Sequence, residues 1–209
     1  MKILKSKFDK ALISELPTVS FEGRIFTIIS QSEAERAVDY LMKQQVLGFD
    51  TETKPCFQKG RGMNKVALLQ VATEYEAFLF RLNRIGLPDC LKRLLSDNEI
   101  IKVGLSWHDD MNQLRRRGNF EAGTFVELQK LVKEFGIVDM ALQKLYANIF
   151  GQRISKSQRL TNWEADNLTE GQQRYAATDA WACVRMYNEL VRLKATDNYV
   201  TDWIEAEEE

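Results

Sequence analysis

The sequence predicts a single mixed-sheet α/β domain, with five or six strands flanked by helices. Three strand-like segments, 46–52, 65–72 and 76–80, follow one another through short connections, which favours an antiparallel meander. From residue 88 onward, helix-like and strand-like segments alternate, as they do in α/β domains. At 209 residues, of which 44% are apolar, the chain is long enough to bury one sizeable core.

A strand and a helix are predicted before the meander. Residues 8–16 form a short helix candidate that ends at Pro17, because proline cannot continue a helix. Residues 24–29 have the composition of a strand. The next helix is predicted to begin at Ser32, because Ser32 and Glu35 are spaced as a capping box.

The later elements are predicted from apolar spacing and from the residues that begin and end helices. The last helix is the longest, and it opens at Thr169, which is spaced from Gln172 as a T-x-x-Q capping box. The later helices are expected over residues 88–95, 106–117, 140–149 and 169–193, and the later strands over 100–104 and within 125–131.

Two carboxylates stand at the end of the first strand of the meander. Side chains alternate between the faces of a strand, so Asp50 and Glu52 point to the same side. Carboxylates so close repel each other, and one stays protonated unless a cation joins them. Oxygen ligands of this kind suit Mg²⁺ or Mn²⁺. An acidic-x-acidic pair is common by chance, so the position after a buried strand is what makes this pair a candidate metal site.

Composition narrows the possible chemistry. His108 is the only histidine, which excludes an HExxH zinc site. The three cysteines, Cys56, Cys90 and Cys183, are far apart and indicate neither a zinc ribbon nor a disulfide framework. The net charge of −1 shows no global basic field for nucleic acid. No signal peptide or membrane span is indicated, so a cytoplasmic protein without a membrane partner is expected.

A second pair of candidate residues lies on the last helix. Tyr175 and Asp179 are four residues apart, so they share one helical face. The surrounding helix is rich in alanine and other apolar residues, and an aspartate in that setting needs a partner. A metal ion shared with Asp50 and Glu52 is one such partner.

A further acid lies where a strand ends near Gly104 and a helix begins near Ser106. Asp109 and Asp110 are both candidates for the site at this point. One of them is expected only to stabilise the start of the helix, as acids in a first turn do. The residue pattern alone leaves the choice open.

Together these segments resemble the DEDDy 3′–5′ exonucleases. The flanks, residues 65–70 and 168–181, agree as well, and the resemblance covers about residues 25–195. Within the family, the sequence is nearest the branch of the Werner-syndrome helicase exonuclease domain, with ribonuclease D next. The three ordered motifs are Phe49-Asp50-Thr51-Glu52, Val103-Gly104 followed by Asp110, and Tyr175-x-x-x-Asp179.

The resemblance implies a ribonuclease H-like fold and a site that binds two divalent cations, Mg²⁺ or Mn²⁺. It assigns Asp50, Glu52, Asp110 and Asp179 as the metal ligands and Tyr175 as the residue that holds the attacking water. Asp110 is preferred to its neighbour because it follows Gly104 at the spacing of the nearest relatives. The implied boundaries are an N-terminal extension over 1–22, the exonuclease domain over 23–197 and an acidic tail over 198–209.

The expected partner is nucleic acid with a free 3′ end, with DNA favoured over RNA. Five basic residues are candidates to contact its phosphates, namely Lys59, Arg61, Lys65, Lys156 and Arg159. Two alternatives remain open: an RNA-trimming exonuclease of the ribonuclease D type, and a catalytically silent nucleic-acid-binding scaffold.

Overall fold

A mixed six-stranded sheet with helices packed around it forms the centre of the molecule. The computed structural model describes residues 1–56 and 64–203. Within them, the strands are β1 (Lys2–Lys5), β2 (Thr18–Val19), β3 (Arg24–Ile28), β4 (Val46–Glu52), β5 (Leu68–Ala72), β6 (Glu76–Phe80), β7 (Ile101–Gly104), β8 (Phe125–Glu127), β9 (Arg153–Ile154) and β10 (Tyr199–Asp202).

Helices connect and cover these strands, and two short 3₁₀ turns accompany them, at Ala11–Glu15 and Val132–Phe135. The α-helices of the described residues are α1 (Gln31–Leu41), α2 (Leu82–Ile85), α3 (Asp89–Ser96), α4 (Trp107–Arg115), α5 (Leu128–Leu131), α6 (Leu142–Phe150) and α7 (Glu170–Thr196). Among them, no helix has both the length and the apolar character that crossing a bilayer requires.

The strand order of the large sheet is β3-β6-β5-β4-β7-β8. The pairs β4–β5 and β5–β6 are antiparallel, which confirms the predicted meander. The pairs β3–β6, β4–β7 and β7–β8 are parallel, so the sheet is mixed, as predicted. The strand β4 therefore lies in the middle of the sheet, and its C-terminal end opens between β5 and β7.

The long helix α7 packs across β4 and β5. Its central turns are built from small residues, and Ala176, Ala177 and Ala180 are fully buried. Gly48 makes the approach possible, because a Cβ at this position would clash with the backbone carbonyl of Ala180. The small side chains on both elements thus bring the backbone of α7 close to the strand that carries the acid pair.

Three local predictions differ from the structure. The helix α1 is capped by Ser30, which forms a capping box with Glu33, two residues before the predicted cap at Ser32. The sequence contains several overlapping Ser and Glu pairs, and spacing alone does not distinguish them. The predicted helix over 8–16 is only a 3₁₀ turn at Ala11–Glu15, and the predicted strand over 65–72 begins at Leu68.

Both ends of the described chain pack on the central body. The strand β1 pairs in parallel with β10, and β2 pairs in parallel with β9. Leu4 and Phe21 are buried, and the backbone N–H of Phe21 donates to the hydroxyl of Thr178 on α7 at 2.9 Å. The predicted boundaries at residues 22 and 197 stay predictions. The acidic residues 204–209 lie outside the described chain.

Candidate active site

The end of β4 and the middle of α7 bring three carboxylates together. One oxygen from each of Asp50, Glu52 and Asp179 lies within 4.8 Å of the others. The alternation of the strand places Asp50 and Glu52 on the face that α7 covers. The close approach at Gly48 then brings Asp179 over them.

Asp110 reaches the same strand end from α4. Its Oδ1 accepts a 2.6 Å hydrogen bond from the hydroxyl of Thr51, the residue between Asp50 and Glu52. Asp109 is exposed, whereas Asp110 is half-buried. Of the two neighbouring aspartates, the structure therefore places Asp110 at the site.

The start of α4 is fixed by a residue from another strand. Ser106 adopts a left-handed backbone conformation with φ 58°, so the helix begins at Trp107. The carboxylate of Glu127, at the end of β8, accepts hydrogen bonds from the backbone N–H of Ser106 at 3.0 Å and of Trp107 at 2.7 Å. These bonds satisfy amides at the helix start that have no partner within the helix. They also anchor the first turn of α4, which carries Asp110.

Tyr175 lies one helical turn before Asp179 on the same face of α7, and its hydroxyl lowers the pKa of that aspartate. The ring packs against Trp163, with ring centroids 6.0 Å apart. Burial raises the pKa of the Tyr175 phenol, and the charges of Asp179 and Glu52 raise it further. The phenol is therefore protonated at neutral pH and acts as a hydrogen-bonding group.

Burial raises the pKa of all four acids, and repulsion within the group raises the pKa of Asp50 and Glu52 further. For Asp50, burial is the largest cause, followed by the charges of Asp179, Glu52 and Asp110. Burial, followed by the charges of Asp179 and Asp110, raises the pKa of Glu52 to about 9. Burial raises the pKa of Asp110 to about 7, although the hydrogen bond from Thr51 lowers it. Burial also raises the pKa of Asp179 to about 7, although the hydroxyl of Tyr175 lowers it.

These acids fit a bound divalent cation. Four carboxyl groups that cannot all be ionised together form a costly arrangement, and a cation among them removes both the repulsion and the desolvation cost. The acids offer carboxylate oxygens, which are the ligands of hard divalent ions. The candidate metal site of the sequence is thus assembled in three dimensions.

A cleft of about 280 Å³ opens above the acids. Lys156 and Arg159 line it, and both lower the pKa of an acid at its floor, Arg159 that of Glu52 and Lys156 that of Asp179. The other described residues that line the cleft are Asp50, Thr51, Glu52, Leu105, Leu142, Gln143, Ile154, Ser155, Tyr175, Asp179 and Cys183.

The structure places two of the five predicted phosphate-binding residues in the cleft. Lys156 and Arg159 lie in the cleft, as expected. Lys65 is exposed just before β5 and is not among the described residues that line the cleft. Lys59 and Arg61 lie outside the described residues. The role of each of these cations stays a prediction.

Sequence reasoning missed Thr51, Gln143 and Ser155 at the site. Strand alternation turns Thr51 to the face opposite the acids, and its bond to Asp110 depends on where α4 packs. Gln143 and Ser155 come from α6 and from the segment after β9, and no pattern in either segment marks them. Their position follows only from the tertiary fold.

The fold and the site define a ribonuclease H-like exonuclease domain. A sequence model of the 3′–5′ exonuclease domain matches residues 25–193, most of the chain. The chain therefore belongs to the 3′–5′ exonuclease family.

Two relatives illustrate the likeness in sequence. The mouse bifunctional 3′–5′ exonuclease/ATP-dependent helicase WRN is 30% identical over 203 residues, which cover 92% of this chain and 14% of the mouse protein. An Arabidopsis thaliana 3′–5′ exonuclease is 27% identical over 189 residues, covering 83% of this chain and 66% of the plant protein. The chain thus spans only part of each relative.

Solved structures support the fold. The EXO domain of Aedes aegypti Nibbler superposes with a TM-score of 0.77 at 20% identity, covering 88% of this chain and 95% of that domain. Escherichia coli RNase D superposes with a TM-score of 0.73 at 20% identity, covering 83% of this chain and 46% of that one. At this level of identity the likeness establishes the ribonuclease H-like fold, which was predicted from the sequence motifs.

Proposed function

We propose that this chain is a metal-dependent exonuclease of the DEDDy type. It shortens nucleic acid from the 3′ end and releases nucleoside 5′-monophosphates one at a time. The observation that carries the proposal is the meeting of Asp50, Glu52 and Asp179 within 4.8 Å, with Tyr175 one helical turn before the last of them. Membership of the 3′–5′ exonuclease family supports the reaction class.

The proposed cofactor is a pair of Mg²⁺ or Mn²⁺ ions. Asp50, Glu52 and Asp179 would hold the ions together, and Asp110 would complete their set of carboxylate ligands. Bound there, the ions supply an activated water and neutralise the charge that develops on the leaving oxygen. Thr51 supports this arrangement, because its hydrogen bond fixes the carboxylate of Asp110.

Tyr175 is proposed to orient the attacking water. Its raised pKa makes the phenol a poor general base at neutral pH. In this role the hydroxyl donates to Asp179, and its oxygen keeps a lone pair that accepts a hydrogen bond from a water molecule. The packing of the ring on Trp163 holds that oxygen in place. Tyr175 therefore restricts the position of the attacking water and does not accept the proton of that water.

Lys156 and Arg159 are proposed to hold the phosphate of the terminal nucleotide. Both line the cleft above the acids, where a phosphodiester brings negative charge toward the carboxyl groups of Asp50, Glu52 and Asp179. Cations at this point offset that repulsion and position the phosphate without reading the base. The cleft volume of about 280 Å³ favours one nucleotide at a time, as removal from an end requires.

DNA is the favoured substrate, and RNA is the alternative. The preference rests on the 30% identity to the mouse WRN exonuclease–helicase, since the likeness to RNase D is one of fold. A ribonuclease D-like trimming enzyme would use the same acids and the same cleft. A silent scaffold is disfavoured, because Asp50, Glu52, Asp110, Tyr175 and Asp179 are all present. The cytoplasmic location suggested by the sequence stays a proposal.

Matched oligonucleotides test the reaction and the substrate together. DNA and RNA of the same sequence, single- and double-stranded, are incubated with the protein and Mg²⁺ or Mn²⁺. We expect free 3′ ends to be shortened, DNA to be degraded faster, and 3′-blocked strands and circles to resist. A clear preference for RNA would change the assigned substrate from DNA to RNA and leave the proposed reaction unchanged. Cleavage of circles would contradict an end-dependent exonuclease.

A further inference from the structure

Gln70 is a buried polar residue in the middle of the sheet. It lies on β5, its side chain is fully buried, and neither its Oε1 nor its Nε2 has a hydrogen-bond partner among the described residues. Buried carboxamides are normally hydrogen-bonded, because leaving them unpaired costs folding free energy. A residue kept at such a cost is a candidate for a functional role.

Gln70 is the cross-strand neighbour of Asp50. In the antiparallel pair β4–β5, Gln70 and Asp50 stand directly opposite each other. Residues paired in this way project to the same face, with Cβ atoms about 4.5–5.5 Å apart. The carboxamide and the carboxylate therefore leave the sheet side by side, under α7.

Two neighbours of Gln70 within the sheet are apolar. Leu68 lies two residues earlier on the same face, and Leu79 is its partner on β6; both are fully buried. An apolar side chain at position 70 would fit beside them. Trp163 packs in one cluster with these two leucines, and its buried Nε1 also has no partner among the described residues.

The two polar neighbours of Gln70 match the two ends of its carboxamide. An ionised Asp50 carboxylate only accepts hydrogen bonds, and the indole Nε1 of Trp163 only donates one. A carboxamide offers an N–H donor to the first and an oxygen acceptor to the second. Trp163 also packs against the ring of Tyr175. Hydrogen bonds through Gln70 would therefore connect Asp50 to the residue that holds the Tyr175 ring.

We propose that Gln70 is a positioning residue for the active site: when a cation holds the Asp50 carboxylate ionised, the Gln70 carboxamide turns so that its Nε2 donates to that carboxylate and its Oε1 accepts from the Nε1 of Trp163. This inference rests on the proposed function, since it assigns Gln70 to the same reaction. Groups that orient metal-binding carboxylates typically contribute about 10–100-fold to metal affinity or activity. Gln70 contacts neither substrate nor water in this account and acts only through Asp50 and Trp163.

The test is Gln70→Leu, which keeps the approximate volume and removes both donor and acceptor. We expect kcat to fall about 10–100-fold, KM for a labelled DNA strand to stay unchanged, and the Mn²⁺ concentration for half-maximal rate to rise. Without metal, the melting temperature should stay the same or increase, because the carboxamide is unpaired in that state and its removal leaves an apolar site. Gln70→Glu, which keeps the shape but loses the donor, should lose activity as well.

A matched control and a double variant separate positioning from packing. Leu79→Met changes the packing of the same face beside Gln70, and we expect wild-type kcat. Trp163→Phe removes the indole N–H, and combining it with Gln70→Leu should cost less than the sum of the single losses, as for two members of one network. A wild-type kcat in Gln70→Leu would overturn the inference. It would also be overturned if Gln70→Leu lost both kcat and melting temperature and Leu79→Met lost them to the same extent. An inactive wild-type protein would instead overturn the proposed function.

Discussion

The hydroxyl of Thr51 donates a 2.6 Å hydrogen bond to Oδ1 of Asp110. This bond joins the end of β4 to the first turn of α4, so the strand that carries Asp50 and Glu52 also orients the acid from the helix. It accounts for the different positions of two adjacent aspartates. Asp110 is turned to the site, and Asp109 is turned to solvent.

The first prediction concerns these two aspartates. Asp110→Ala is expected to abolish most of the turnover, because it removes a proposed ligand of the metal site. Asp109→Ala is expected to keep the full rate and to cost at most about 0.3–1 kcal/mol of unfolding free energy, the value of an acid in a first helical turn. Rates and denaturant unfolding measured side by side check both values. The opposite pattern would assign the catalytic role to Asp109.

The second prediction concerns Thr51. Thr51→Val keeps the shape and removes the donor to Asp110, whereas Thr51→Ser keeps the hydroxyl. We expect the valine variant to lose activity and to need more Mn²⁺, and the serine variant to stay near the wild-type rate. Metal titration of the rate is the measurement. Equal rates for both variants would show that the bond does not matter for catalysis.

The third prediction concerns Tyr175. Tyr175→Phe keeps the ring on Trp163 and removes only the hydroxyl. If that hydroxyl orients the water, kcat should fall on the order of 10²-fold or more, the range of a single proton-handling or positioning group. Substrate affinity should barely change. A full rate in this variant would reduce Tyr175 to a packing role.

The fourth prediction concerns stability in the absence of metal. Burial raises the pKa of Asp179 and Asp110 to about 7 and that of Glu52 to about 9. The folded state therefore holds protons that the unfolded chain releases near pH 4, so stability falls as the pH rises from about 4 through 7 to 9. Each group contributes at most about 1.4 kcal/mol per pH unit.

Thermal unfolding in a chelator, from pH 5 to pH 9, measures this loss. Asp179→Asn removes one titrating acid, so its melting temperature should fall less steeply with pH than that of the wild type. For the wild-type protein at pH 8, added Mn²⁺ should restore the melting temperature that is lost in the chelator, because a cation offsets the same repulsion. A metal-free protein that gains stability over this pH range would contradict the assigned pKa shifts.

The sequence was sufficient to predict the residues whose relation depends on local periodicity. Asp50 and Glu52 share a strand face, and Tyr175 and Asp179 share a helix face, because the periods of two and 3.6 residues are set by the backbone itself. The meander was predicted from the short connections between its three strand-like segments. The resemblance of the motifs to a known family then connected the two pairs.

Features that depend on packing between distant segments were not predictable. The bond from Thr51 to Asp110 depends on the start of α4, which Glu127 fixes from β8. The cap of α1 at Ser30 is one of several overlapping candidates in the sequence. No local pattern indicates that Gln143 and Ser155 face the cleft, because their positions are set by how α6 and β9 pack.

The fifth prediction concerns the cations of the cleft. Lys156→Ala and Arg159→Ala are each expected to raise KM about 10-fold or more, since a hydrogen bond to a charged group contributes about 1.5–3 kcal/mol. Lys133→Ala, at an exposed lysine in the second 3₁₀ turn, is the matched control. Initial rates across substrate concentrations check the values. An unchanged KM in both cleft variants would remove the proposed phosphate contacts.

The most direct test of the account is the digestion of a 5′-labelled single strand of DNA with Mn²⁺, by the wild type and by Asp50→Asn. The account predicts a ladder of strands shortened from the 3′ end by the wild type, no ladder with a chelator, and no ladder from the folded Asp50→Asn variant. Early release of the label as a mononucleotide would contradict the polarity. An undiminished ladder from Asp50→Asn would contradict the site.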